Sequence, residues 1–579
     1  NGTLIAGGSA SSLSVTSGAG ITDSAAFSVG GLATFNANGG ASNITLNAGG
    51  DFGSLNFTGA AVTIVESDAT VIAGGSAGSL DLTSGGAISD TGAFTVTGLA
   101  SFDANGGVND ITLNNSPSLG SFNFTGNAVT LVEADGTLIA GGSAASLSVT
   151  SGGAITDSAA FSVGGLATFN ANGGGSNITL NDSADFGSLD LTGAAVSVIE
   201  GDSMEIAAAS TGALSLTASG AITQTGDISA TGAVTLAAGA LNDITLARPA
   251  NVFGGTVSVT NGNNVTLEDN GALDLGTSTV SGNLDVTAAG SITQSGVLAV
   301  TGTSTFRIKD VAGQDVYLDT QDNDFAGTIT LESENTGSVR DFSIRNVNAG
   351  ATLGAISATV GRNLLIDFTN AGIDLPAMTV VGTLTAIAGG GNITDSGIVD
   401  VGGTGTFTVT GAGDDIDLGT LDVTGSITLN TAAGGGGFAS VTNAVATDLA
   451  ASSVDGTLTV VSTTGNLSDS GAIAVGGNAD FTTSAAGADI DLGTLQVTGT
   501  VAVATSGAGG NASIVDTGAL TLAASTVGGN LNATASGGDL TDSGAVSVGG
   551  NGSFTTSLSG ADLTLDQTTI TGFTAVTTT

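Results

Sequence analysis

The chain has 579 residues, with 96 Gly, 3 Pro, no Cys and no His, and its 50 acidic against 6 basic side chains give a net charge of −44. That balance argues against binding to nucleic acid or to an anionic membrane surface, both of which require Lys/Arg-rich faces. The missing Cys and His exclude disulfides, thiolate or imidazole metal sites and His-based catalytic triads.

A hydrophobic content of 41% is too high for disorder. Thr and Val over a background of Gly, Asn and Asp predict strands and turns rather than helices. No apolar run reaches transmembrane length, so no membrane insertion is expected. The first residue is Asn1, in mid-repeat and without Met, which reads as a processed or excised piece of something longer.

From Thr3 the chain reads "TLIAGGSASSLSVTSGAGITDSAAFSVGGLATFNANGG", and from Thr137 nearly the same words return. The anchor of this repeat is "ITDS" at Ile21, "ISDT" at Ile88, "ITDS" at Ile155, "ITQT" at Ile222 and "ITQS" at Ile292. It recurs as "ITDS" at Ile393, "LSDS" at Leu467 and "LTDS" at Leu540. The spacings are 67, 67, 67, 70, 101, 74 and 73, so eight modules tile the chain. Within the first module "LSVT" at Leu13, "ATFN" at Ala33 and "LNFT" at Leu55 alternate apolar and polar residues, and "LDLT" at Leu80 opens the next. Alternation puts Leu13 and Val15 on one face and Ser14 and Thr16 on the other.

These spacings predict a parallel β-solenoid, right-handed by the crossover rule. The expectation is roughly 25 coils of about 22 residues, three coils per module, in a rod on the order of 120 Å long. Phe35 should stack on Phe57, Phe102 on Phe124, and Phe169 on Leu191. A solenoid coil cannot bury its apolar face alone, so duplication of a module that stacks on its kin lengthens the shaft without redesign.

Residues 1–203 read as three near-identical modules and 204–305 as diverged ones. Residues 306–362 form an irregular extra coil or loop insertion, and 363–579 three further modules. Five of the six basic residues sit in or at the edge of the irregular region: Arg307, Lys309, Arg340, Arg345 and Arg362, with the single Tyr, Tyr317. They can bridge locally to Asp310, Asp315 and Asp341, or form an interaction patch for an acidic neighbour.

Segments such as "GNLDVTAAGSITQSG" from Gly282, "GNLNATASGGDLTDSG" from Gly529 and "NVFGGTVSVTNGNNVTLED" from Asn251 resemble the repeats of filamentous-haemagglutinin-like proteins, large bacterial surface and secreted proteins. The resemblance implies a β-helical shaft, export from a Gram-negative-type cell, and a role in adhesion or cell-surface structure.

"IVDTG" at Ile514–Gly518 and "ISDTG" at Ile88 look like the Asp-Thr/Ser-Gly loop of aspartic proteases, whose chemistry needs two carboxyls sharing one proton across a cleft. Here the motif belongs to the repeat turn. Carboxylates also recur by period, as Glu66/Asp68, Glu133/Asp135 and Glu200/Asp202. Each pair can hold one hard cation, calcium above all, or belong to a solvated acidic face. Asp319, Asp322 and Asp324 of "DTQDND" are further oxygen-rich candidates.

No cofactor is required by this reading. The function expected is a non-catalytic extracellular shaft, an adhesin or stalk segment meeting a host or neighbouring cell surface. The alternative is a self-assembling filament, sheath or surface layer of like chains, and a polysaccharide-active β-helix enzyme is the distant third.

Overall fold

A computed structural model describes residues 1–309, 313–334 and 337–579. The chain is an all-β parallel solenoid of about 27 turns with about 21 residues per turn. Among the described residues there is no α-helix, only the short 3-10 turns Asn38–Gly40 and Asn172–Gly174. The chain divides into two units, Asn1–Leu273 and Asp274–Thr579.

In the first unit every printed strand pairing is parallel, and each turn lies in register on the next. The pattern that creates this is visible in the strand Ile44–Glu66. Ile44, Leu46, Phe52, Leu55, Phe57, Val62 and Ile64 are buried, while the residues between them, apart from Gly50 and Gly59, meet solvent. Period-two alternation thus gives one dry face per strand, which closes only when the chain curls and the next turn covers the ladder.

The expected stacks are present: Val15 on Phe35, Phe35 on Phe57, Phe102 on Phe124 and Phe169 on Leu191. Rings from different strands also meet inside, with Phe27, Phe35 and Phe52 having centroids 5.1–6.2 Å apart.

The count of three coils per module does not hold, and the register shows why. From the anchor residue Ile88 the same column runs Ile111, Val129, Leu147, Ala167 and Leu189 to Ile206, which pairs with Gln224, two residues beyond the next anchor of that column, Ile222. Seven steps therefore cover the 134 residues of two modules, so one module makes three and a half turns. Between "LNFT" at Leu55 and "LDLT" at Leu80 the chain does not make one long coil. Leu55 pairs with Ile72 and Val62 with Leu80, because "VTIVE" is itself a further pass of strand. A half-integer repeat places Ile21 and Ile155 in one column, and Ile88 and Ile222 in the other.

The second unit follows the same rule. Seven steps lead from Ile393 through Ile416, Ala439, Leu458, Ala479, Val501 and the strand Leu520–Leu522 to Leu540. In the irregular region Ile292 pairs with Val316, Val316 with Phe342, Phe342 with Leu364 and Leu364 with Leu384. Four full turns precede Ile393 there, where the first module makes three before Ile88. The 101-residue interval is therefore one additional turn in the stack, built from longer passes.

Glycines permit the close approach of turns at a few corners. Gly142 adopts φ +138° opposite Phe124, and a Cβ there would meet the Phe124 carbonyl oxygen at 2.3 Å. Gly164 has open space around its Cβ direction and needs no positive φ. Gly142→Ala is expected to cost about 2 kcal/mol or more, from the clash together with the strained backbone. Gly164→Ala should change stability by less than about 0.5 kcal/mol. Urea unfolding midpoints of the two variants check this, and equal midpoints would contradict the register described.

Candidate functional site

The side chains that recur with the module do their chemistry on the backbone of the adjacent turn. The anchor aspartates show it first. Asp23 accepts the N–H groups of Asn47 (3.0 Å) and Ala48 (3.1 Å), Asp90 those of Asn114 and Asn115, and Asp157 those of Asn181 and Asp182. In the second unit Asp395 holds Gly419 and Thr420, Asp469 holds Gly493 and Thr494, and Asp542 holds Asp566 and Gln567. Where the anchor carries Gln, an amide pair does the same work: Gln224 bonds Asn251, and Gln294 bonds Asn323. The protease-like "ISDTG" is thus a clamp on the turn that follows.

A second recurring group sits at a buried corner. One oxygen of Glu66 accepts the N–H of Phe52 (2.7 Å), Glu133 that of Leu119 (2.6 Å), Glu200 that of Phe186 (2.9 Å), and Asp269 that of Phe253 (3.4 Å). In the second unit the acceptors are Asn346 for Phe325, Asn443 for Val423 and Asp516 for Val497. All seven are buried. Asp516 belongs to "IVDTG", so that motif too is committed to the backbone. Asn346 and Asn443 also donate to the carbonyl oxygen of the same residue, as a neighbouring strand would. The corner therefore accommodates a neutral donor–acceptor group.

Burial raises the pKa of the three glutamates at this corner. Desolvation pushes Glu66 to about 7 and Glu133 to about 7, against the Phe52 N–H on Glu66 and the Thr137 hydroxyl and Leu119 N–H on Glu133, which pull the other way. Glu200 is pushed to about 8 by the same desolvation, with the charges of Asp202 and Asp185 adding to it.

The sequence pairs do not behave as three equal cation sites. Glu66, Glu133 and Glu200 end their strands facing inward, whereas Asp68, Asp135 and Asp202 are exposed in the following bend, so members of a pair do not share one strand face. Nor are successive pairs three coils apart; they are separated by three and a half turns and fall in alternate columns. Asp185, from the preceding turn, completes the third group. One carboxylate oxygen from each of Asp185, Glu200 and Asp202 lies within 4.8 Å of the others, the only such group of three acidic residues among the described residues. Sequence reading missed Asp185 because it pairs through the stack; its separation of 17 from Asp202, close to one turn, was the available signal.

Asp319, Asp322 and Asp324 do not converge. Asp319 accepts from Ser343 (2.7 Å), Asp322 pairs with Arg345, and Asp324 accepts from Asn348. The basic residues form ladders with their own acids. Arg307 bridges Asp285 and Glu332, Arg340 pairs with Asp315, Arg345 reaches Asp322 and Asp367, and Arg362 pairs with Asp341. Tyr317 donates to Asp341 (2.8 Å), whose carboxyl the Arg362 guanidinium holds near about 2. Lys309 also has a partner. Asp310 lies outside the described residues.

Repeats described as "Repeats of unknown function (DUF5649)" match the chain eight times, over 1–57, 59–119, 126–192, 193–260, 262–332, 361–430, 435–504 and 509–579. The interval left between the fifth and sixth matches coincides with the additional turn. No curated protein and no solved structure matches the chain.

The raised pKa of the corner carboxyls carries a sign. Folded Glu133 titrates near 7 and the unfolded side chain near 4.5. Its stabilising contribution is therefore complete below pH 4.5 and is lost as pH rises through 7. The loss amounts to about 3 kcal/mol per site at the upper end. Thermal unfolding midpoints should fall between pH 5 and 8, and Glu133→Gln, which cannot ionise, should make that fall shallower. A midpoint that rises over this range would contradict the assignment.

Proposed function

The chain belongs to the DUF5649 family of repeats of unknown function, and on that premise we propose that it is a non-catalytic structural shaft. In this reading it is a stalk or adhesin segment of a large bacterial surface or secreted protein, carried outside the cell. One observation carries the proposal. The anchor aspartates hold backbone N–H groups of the following turn and the corner side chains hold one of the preceding turn, so what repetition preserves is the ability to continue the stack.

Three further features support the reading. The arginines of the irregular region are engaged by acids of adjacent turns, which knits the additional turn into the shaft. Outward positions such as Ser14, Asp81, Ser148, Ser215 and Asp285 are polar and none is buried, which suits prolonged exposure to water. The net charge of −44 keeps like shafts apart. The resemblance of "GNLDVTAAGSITQSG" to filamentous-haemagglutinin-like repeats supplies the extracellular setting.

Negative-stain electron microscopy of the purified chain, with calcium and then with chelator, separates the shaft from the assembling alternative. Discrete single particles under both conditions are expected. Filaments or sheets that dissolve on chelation would replace the shaft by a self-assembling layer or sheath. Antibody raised against the chain should also label intact source cells or their medium; label confined to permeabilised cells would remove the extracellular reading.

A further inference from the structure

We propose that Asp185, Glu200 and Asp202 form a calcium site. The three residues come from two successive turns: Asp185 follows the left-handed Ser183, and Asp202 lies in the bend after the strand Ile178–Glu200. The two segments are tied by the Gly201 N–H to the Ala184 carbonyl oxygen at 3.2 Å. Asp185 and Asp202 are exposed, and Glu200 is 1% exposed, so the group has a buried floor and an open mouth.

The argument rests on an orphaned oxygen. One oxygen of Glu200 accepts the Phe186 N–H, and the other, Oε2, is buried and has no hydrogen-bond partner. In the second module the equivalent oxygen of Glu133 is satisfied by the Thr137 hydroxyl at 2.7 Å. The third module has Met204 at that position, and its thioether cannot donate. A buried carboxylate oxygen with no donor, facing two further carboxylates, is met either by a proton or by a cation, and the two exposed carboxylates beside it supply the further oxygens a cation takes.

The third ligand differs between copies in the same sense. At the place of Asp185 the second module has Ser118, whose hydroxyl donates to Asp135 at 3.0 Å and closes the group without an ion. In the first module the Oε2 of Glu66 and the Thr70 hydroxyl are likewise buried without a partner, but Asp51, Glu66 and Asp68 do not converge within 4.8 Å as the three carboxylates of the third copy do. The third copy alone combines three carboxylates within 4.8 Å with the loss of the hydroxyl.

Calcium fits these groups better than other hard cations. It takes about six to eight oxygen ligands at roughly 2.3–2.6 Å in flexible geometry, so oxygens on one ion lie up to about 5 Å apart. Magnesium needs a tighter octahedron near about 2.1 Å and keeps more of its water. Two exposed aspartates and one buried glutamate leave room for waters to complete the shell.

Isothermal titration of calcium chloride into the chelator-treated full chain tests the site, with Asp185→Asn, Asp202→Asn and Asp135→Asn as variants. The wild type should take up calcium saturably. Asp185→Asn and Asp202→Asn should each remove one equivalent or weaken it at least tenfold, and Asp135→Asn should leave it unchanged. Calcium should likewise raise the thermal midpoint of the wild type more than that of either third-module variant. Absence of saturable uptake by the wild type would overturn the proposal, as would variants that bind with wild-type stoichiometry and affinity. All three mutated aspartates are exposed, and circular dichroism checks that each variant keeps its strands.

Discussion

Everything in this protein depends on the parallel backbone ladder between one turn and the next. A strand with one dry face cannot close on itself in a single pass, and a parallel neighbour can be reached only by a full circuit of the chain. The circuit must return in register, because a slip of one residue turns every buried side chain outward. Each recurring polar residue contributes to that return. The anchor aspartates fix the loop of the following turn, and the corner carboxyls and amides cap an N–H that the ladder leaves unpaired.

The half-integer module follows from the same constraint. A unit of 67 residues in the regular part makes three and a half turns, so odd and even anchors fall in two different columns within the first unit. Ile88 and Ile222 share a column, while Ile155 belongs to the other. Near-identical sequence therefore does not place identical groups side by side. Glu133 lies in a different column from Glu66 and Glu200, and each corner evolves its own neighbours. That separation lets one copy exchange Thr137 for Met204 and Ser118 for Asp185 without disturbing the next.

The irregular region shows how the ladder absorbs change. Val316, Phe342 and Leu364 keep the interior continuous, while the surplus residues lengthen individual passes. Arginines appear where these longer passes run, and each finds an acid one turn away. In so acidic a chain an unpaired arginine would find many acids, but burial of Asp315 and Asp341 makes these pairings specific. A buried carboxylate needs a fixed counter-charge, and the guanidinium fork supplies it together with directed hydrogen bonds.

The fold class, the stacking of Phe35 on Phe57 and of Phe102 on Phe124, and the turn role of the Asp-Thr-Gly motifs were all legible in the amino-acid sequence. They follow from period-two alternation and from repeat spacing, which are local properties of the chain. The number of turns per module was not legible, because "VTIVE" and "TLIAGG" carry the same alternation as their neighbours and could be counted as one long coil or as separate passes. Nor was the inward aim of Glu66, Glu133 and Glu200, since a Glu at a strand end reads as exposed until the next turn covers it. Asp185 joins Glu200 and Asp202 only across the stack. Composition and period determine that the chain coils; the tertiary register alone decides which residues of successive turns meet, because that choice is made by long-range pairing rather than by any property of the residues themselves.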